Sequence, residues 1–158
     1  MSLHSVPRTI QTSTKRVLTG GDIILVTPVA FTAVPGTRFK VFVQKNSLID
    51  LMAEFAAGGT LAGSVGFDFQ ITDPQGTVSR LGQTLGLKTQ LIVIAVADKL
   101  PWSLHEVLDN LAEGEHTIEL VAIATAGNAI ISAAAASCPL IVTMRQSCLI
   151  YPTPGIDT

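Results

Sequence analysis

Three histidines, two cysteines and twelve carboxylates are the side chains of this 158-residue sequence best suited to acid–base, metal or nucleophilic chemistry. A zinc site needs three or four imidazole or thiolate ligands converging on one ion. His4, His105 and His116 stand far apart, and their spacing to Cys138 and Cys148 matches no such arrangement. The two cysteines flank an apolar, strand-like run, and ten extended residues span about 33 Å where a disulfide needs ~5.5 Å. They are expected to be reduced apolar fillers unless the chain doubles back after Gln146. No GxSxG elbow is present to present a nucleophilic serine. Asp68, Asp73 and Asp98 lack the alternating oxygen pattern of a calcium loop. Gly58–Gly63 (GGTLAG) has the glycines of a phosphate loop without the Lys-Ser/Thr that must follow, and is expected to be a flexible connection. The expectation is therefore no catalytic residue, no metal, no cofactor and no enzyme.

Composition points elsewhere. Apolar residues make up 47% of the chain and charged ones 14%, against about 25% charged in an average soluble domain. Disorder is excluded, because there is ample apolar surface to offset the entropy of ordering. A formal net charge of −2 argues against nucleic acid as a partner. The charge-free run from Leu120 to Met144 is long enough to span a bilayer. Gly127-Asn128 and Pro139 interrupt it, its arms are rich in Val, Ile and Thr, and three strands explain it better than one helix. The N-terminal residues carry no signal-peptide core. No membrane association is expected, so other subunits must cover so neutral an exterior.

The elements follow from periodicity. Residues 1–20 are polar and Ser/Thr-rich, and are expected to form an extended arm. Residues 21–150 form one β-sandwich domain, and 151–158 a proline-containing tail. Asp22–Val26 and Thr37–Val43 are β-type runs. Val65, Phe67, Phe69 and Ile71 alternate with small or polar residues and point to one face. Asp73-Pro74-Gln75-Gly76 is a turn that returns Thr77–Leu81 as a hairpin partner. Leu91–Val96 is apolar on both faces, as a central strand is. Trp102–Leu111 carries Leu104, Val107, Leu108 and Leu111 at helical spacing behind a Ser103/Glu106 capping box, which predicts one short helix. Glu115–Ala124, Ala129–Ala136 and Pro139–Arg145 read as strands, with helix competing for the Ala133–Ala136 run. Leu48–Phe55 suits either strand or helix. Many short strands and almost no helix make the fold all-β, a single jelly-roll-type sandwich.

Charge is segregated along the chain. Residues 1–45 hold six bases against one acid, and residues 46–158 four bases against eleven acids. A cationic arm on an anionic body favours docking to itself or to a neighbouring copy, with Arg8, Lys15 and Arg16 as its anchors. Four consecutive alanines suit a strand approached closely by another subunit. Sugars are gripped by flat aromatic faces. With one Trp and one Tyr in the chain, Trp102, beside Pro101 at an expected loop edge, is the candidate ligand platform.

Glu113-Gly114-Glu115-His116-Thr117-Ile118-Glu119-Leu120, the Gly127-Asn128 turn and the closing run Leu140–Met144 resemble the last strands of jelly-roll domains in tailed-bacteriophage virion proteins. There a Gly-x-His/Tyr-Thr-Ile-x-Leu strand, a turn and a returning strand end the sandwich. The resemblance covers about residues 113–145, and Ala129–Ala136 replaces that pattern's aromatic-rich second strand. It implies a TNF-like sandwich serving as a homo-oligomeric, trimer-favoured head decoration (cement) protein. Such a protein sits on the capsid surface against the major capsid protein or another virion protein. The alternative is a tail or fibre module that binds a receptor or glycan. No functional residue is carried over from it.

Overall fold

The computed structural model describes residues 10–17, 21–25, 30–92, 99–133 and 139–148. These contain twelve strands and no helix: β1 (Ile10–Val17), β2 (Ile23–Leu25), β3 (Thr32–Ala33), β4 (Phe39–Val43), β5 (Ser47–Gly59), β6 (Gly63–Thr72), β7 (Val78–Arg80), β8 (Lys88–Ile92), β9 (Leu100–Leu108), β10 (Gly114–Ala124), β11 (Ala129–Ser132) and β12 (Leu140–Cys148).

Register reduces the twelve to eight courses. Residues 49–54 of β5 pair with β9 and with β12 at once, so those two lie on opposite edges of β5. Further along, residues 56–57 pair with β9 and β11, which places β11 end to end with β12. The same logic sets β1 end to end with β2 along that course. In the other sheet, β4 and β3 share one edge of β10, while β7 and β8 share the outer edge of β6. Counting courses in chain order, one sheet runs first–eighth–third–sixth and the other second–seventh–fourth–fifth. That is the wrapping order of a jelly roll, and every described pairing is antiparallel. The protein is an all-β, two-sheet jelly-roll sandwich.

The core lies between the sheets and follows the period of two. Ile49, Leu51, Ala53, Phe55 and Ala57 face inward from β5, and Val65, Phe67, Phe69 and Ile71 from β6, all buried. Phe67 packs edge-on to both Phe55 and Trp102, at ring-centroid distances of 4.6 and 4.8 Å. The turn after β6 is built by Asp73, whose carboxylate accepts the N–H groups of Gln75 and Thr77. Val78–Arg80 then returns along β6.

Four expectations are corrected by this architecture. Residues 102–108 belong to a strand, not to a helix: Trp102 and Leu104 are buried while Val107 is 53% exposed, so the helical stripe is broken. The edge of β5 offers nine register positions to this segment, and that ladder overrides the capping box. Ile10–Val17 is no free arm, because it pairs with β12 over eight positions and supplies the edge strand that β12 would otherwise lack. The apolar run beginning at Leu91 starts in β8, which pairs among the described residues with β6 alone. It is an edge course there rather than a central one. Gly58–Gly63 is mostly strand: Gly58 and Gly59 end β5, Gly63 opens β6, and only residues 60–62 connect them. Thr60 pins that connection by donating its N–H to Asn128 O and accepting the Asn128 N–H at its hydroxyl.

Leu48–Phe55 is strand throughout. The charge-free run divides among β10, β11 and β12 rather than forming a spanning helix, and no helix among the described residues could cross a membrane. Residues 134–136 of the alanine run, Cys138 and the 151–158 tail lie outside the described residues, as do residues 1–9.

Candidate functional site

The broadest regular surface is the outward face of the β9–β5–β12–β1 sheet. Alternation alone selects its residues. β5 turns Asp50, Met52 and Glu54 outward between the buried Ile49, Leu51, Ala53 and Phe55. β12 turns out Ile141, Thr143 and Arg145 between Leu140, Val142 and Met144. Cross-strand register then forms rows across the sheet: Val107, Asp50, Arg145 and Thr12; His105, Met52, Thr143 and Thr14; Ser103, Glu54, Ile141 and Arg16.

His105 Nε2–H donates to Asp50 Oδ1 at 2.6 Å, and both groups are partly exposed. Arg145 stands directly across β12 from Asp50. The hydroxyls of Thr14 and Thr143 lie 3.3 Å apart. A shallow recess of about 430 Å³, lined by Thr12, Asp50, Met52, Thr143 and Arg145, sits over the β5–β12–β1 strip. Met52 is 40% exposed at its centre. The face has threonine hydroxyls, one flexible apolar side chain and a few charges. It lacks a nucleophile beside a base, and is suited to contact rather than to bond-making.

The opposite sheet is committed to its own structure. Glu119 accepts from Arg38 Nε at 2.9 Å and from Gln70 Nε2 at 3.2 Å. Asp68, fully buried on β6, accepts the N–H groups of Phe69 and Gly82 and lies 3.5 Å from Arg80. Burial pushes its pKa above the ordinary value, outweighing those N–H groups and the Arg80 charge. Arg80 stacks over the Phe31 ring at 3.9 Å. Among the described residues no three His, Cys, Asp or Glu side chains converge as metal ligands.

The anticipated site residues are not gathered. Arg8, His4 and Tyr151 lie outside the described residues. Lys15 sits on β1, with Nζ 5.7 Å from the centre of the Phe39 ring, a cation–π contact across the open edge of the sandwich. Arg16 is exposed on the outward face, opposite Ile141. Trp102 is no platform. It is 2% exposed and stacked on Phe55 at 6.2 Å, and its indole N–H donates to Ala57 O. The strand that replaces the expected loop edge carries its ring into the core. His116 is buried and its Nδ1–H donates to Gly114 O at 3.1 Å, whereas His105 is exposed. Asp50, Met52, Glu54, Thr143 and Arg145 had a signal in the sequence, namely the alternate positions of LIDLMAEF and LIVTMR. Only the assignment of Leu48–Phe55 as strand makes that signal legible.

Neither the family models nor the curated proteins contain a match to this chain. Among solved structures, the chain is similar to the Eiger TNF of S. frugiperda, with a TM-score of 0.49 and 10% identity over 93% of this chain and 99% of that one. It is similar to the globular domain of zebrafish complement 1qA, with a TM-score of 0.43 and 12% identity over 90% and 98%. The VP2 subviral particle of infectious bursal disease virus gives a TM-score of 0.44 and 10% identity, over 90% of this chain but 37% of that one. The assignment as a jelly roll stands on this chain's own strand order.

Proposed function

We propose that this chain is a structural virion protein, a homo-oligomeric head decoration (cement) protein that binds the capsid surface and does no chemistry. The observation that carries the reading is the outward face of the β9–β5–β12–β1 sheet, which is regular, without lysine and partly apolar. It sits on a chain only 14% charged. Such a surface gains from being covered. A trimer is favoured, with the major capsid protein or another virion protein as the further partner. Arg8, Lys15 and Arg16 supply positive charge at the outer edge of the sheet. Several such edges per oligomer act together through effective concentration.

The glycan-binding alternative loses its support, because the Trp102 ring is enclosed by Phe55 and Phe67. The test is sedimentation of the full chain, followed by its binding to virus-like shells as salt is raised. A self-associated species that occupies shells, less tightly once residues 1–9 are removed, is the expected result. A chain that stays monomeric and leaves shells bare would overturn the reading.

A further inference from the structure

Building on the reading that copies of this chain assemble, we propose that they meet through the outward face of the β9–β5–β12–β1 sheet. The acidic column on β5 in one copy lies against the basic column on β12 and β1 in the next. The charges on this face are sorted by strand. The outward positions of β5 carry Asp50 and Glu54 and no base, whereas those of β12 and β1 carry Arg145 and Arg16 and no acid. Among the described residues, neither Glu54 nor Arg145 takes part in an ion pair, and Asp50 is engaged by His105 rather than by the arginine across from it. The face thus presents two opposite, incompletely compensated columns one strand spacing apart, about 4.8 Å.

A rotation axis parallel to the strands and above the β5–β12 boundary brings the β5 column of one copy onto the β12–β1 column of its neighbour. Asp50 then meets Arg145, and Met52 meets Thr143. Both two-fold and three-fold closure use these pairs, and the proposed trimer is the three-fold case. Met52, unbranched and adaptable, borders the shallow recess that receives a neighbour's side chain. Charge complementarity of this kind sets register and partner choice.

The test is the association constant of the full chain, measured by sedimentation over a concentration series. Arg145→Glu and Asp50→Lys each set like charges against each other and are expected to raise the dissociation constant at least about tenfold. Combining the two restores it to within about threefold, because the opposed columns are merely exchanged. Met52→Arg disrupts association without rescue. Lys40→Glu, exposed on the other sheet, changes nothing. Urea midpoints report whether each variant remains folded. If the wild type is oligomeric and Arg145→Glu, Asp50→Lys and Met52→Arg all leave it so, this interface is wrong while the proposed function stands. A wild type that is monomeric at every concentration overturns both. Variants that keep the oligomer but lose shell binding show that the face serves the virion partner, which also overturns the proposal.

Discussion

The N–H of Gly82 points at both carboxylate oxygens of Asp68, at 3.1 and 3.0 Å, and so ties the 81–87 crossing to the outer side of β6. Asp68 is wholly buried there, so its charge has given up water for two N–H groups and the flank of Arg80. Asp68→Asn keeps an acceptor for those donors and is expected to change stability by no more than about 1 kcal/mol. Asp68→Ala leaves the Phe69 and Gly82 N–H groups without it and should cost about 2–3 kcal/mol. Urea unfolding measures both.

The same carboxyl gives a pH dependence of known sign. Its folded pKa is raised, so between the ordinary value of 3.8 and the folded value the native state holds a proton that the unfolded chain has released. The Asp68 contribution to stability is therefore fully present below 3.8 and is lost as pH rises through the folded pKa. Subtracting the stability–pH curve of Asp68→Asn from that of the wild type should show this fall; a difference that rises with pH contradicts it.

Trp102 is the only tryptophan, which makes its environment directly observable. Its emission should be blue-shifted and weakly quenched by iodide in the native chain. Trp102→Ala, which removes the ring stacked between Phe55 and Phe67, should cost about 3–5 kcal/mol.

Truncation separates strand from arm. Removing residues 1–9 should leave the urea midpoint unchanged, because β1 begins at Ile10. Removing residues 1–17 strips the edge partner from β12 and the Lys15–Phe39 contact, and should lower the midpoint and promote aggregation. Equal midpoints for the two truncations would contradict the pairing.

At Gly66, a Cβ would lie 1.8 Å from the carbonyl oxygen of Leu85, because the 81–87 segment crosses β6 in direct backbone contact. Gly66→Ala is therefore expected to cost more than about 2 kcal/mol, measured by thermal unfolding. A neutral outcome would mean that the crossing can lift away.

The sequence displayed its strands where one face was apolar and the other polar. Val65–Ile71 and the Asp73–Gly76 turn follow directly from alternation and turn chemistry, and so does the sandwich. It misled where two periods overlap. In WSLHEVLDNL the leucines fit helical spacing as well as Trp102 and Leu104 fit alternation, and only the open edge of β5, distant in sequence, decides between them. The arm was misjudged for a related reason. IQTSTKRV has no apolar face of its own to announce a strand, and it pairs because β12 presents an unpartnered edge. The outward face was legible only in part, since Asp50, Glu54 and Arg145 come together through register between strands about ninety residues apart.

Between β11 and β12 the chain spends residues 133–140 while β5 advances only from Ala56, opposite Ser132, to Glu54, opposite Ile141. The ladders on either side are thus indexed separately, and neither depends on how many residues intervene. Loop closure grows only slowly more costly with length, so a short epitope grafted into that interval should be displayed while both ladders keep their pairing. It is the natural place to attach cargo to this sandwich.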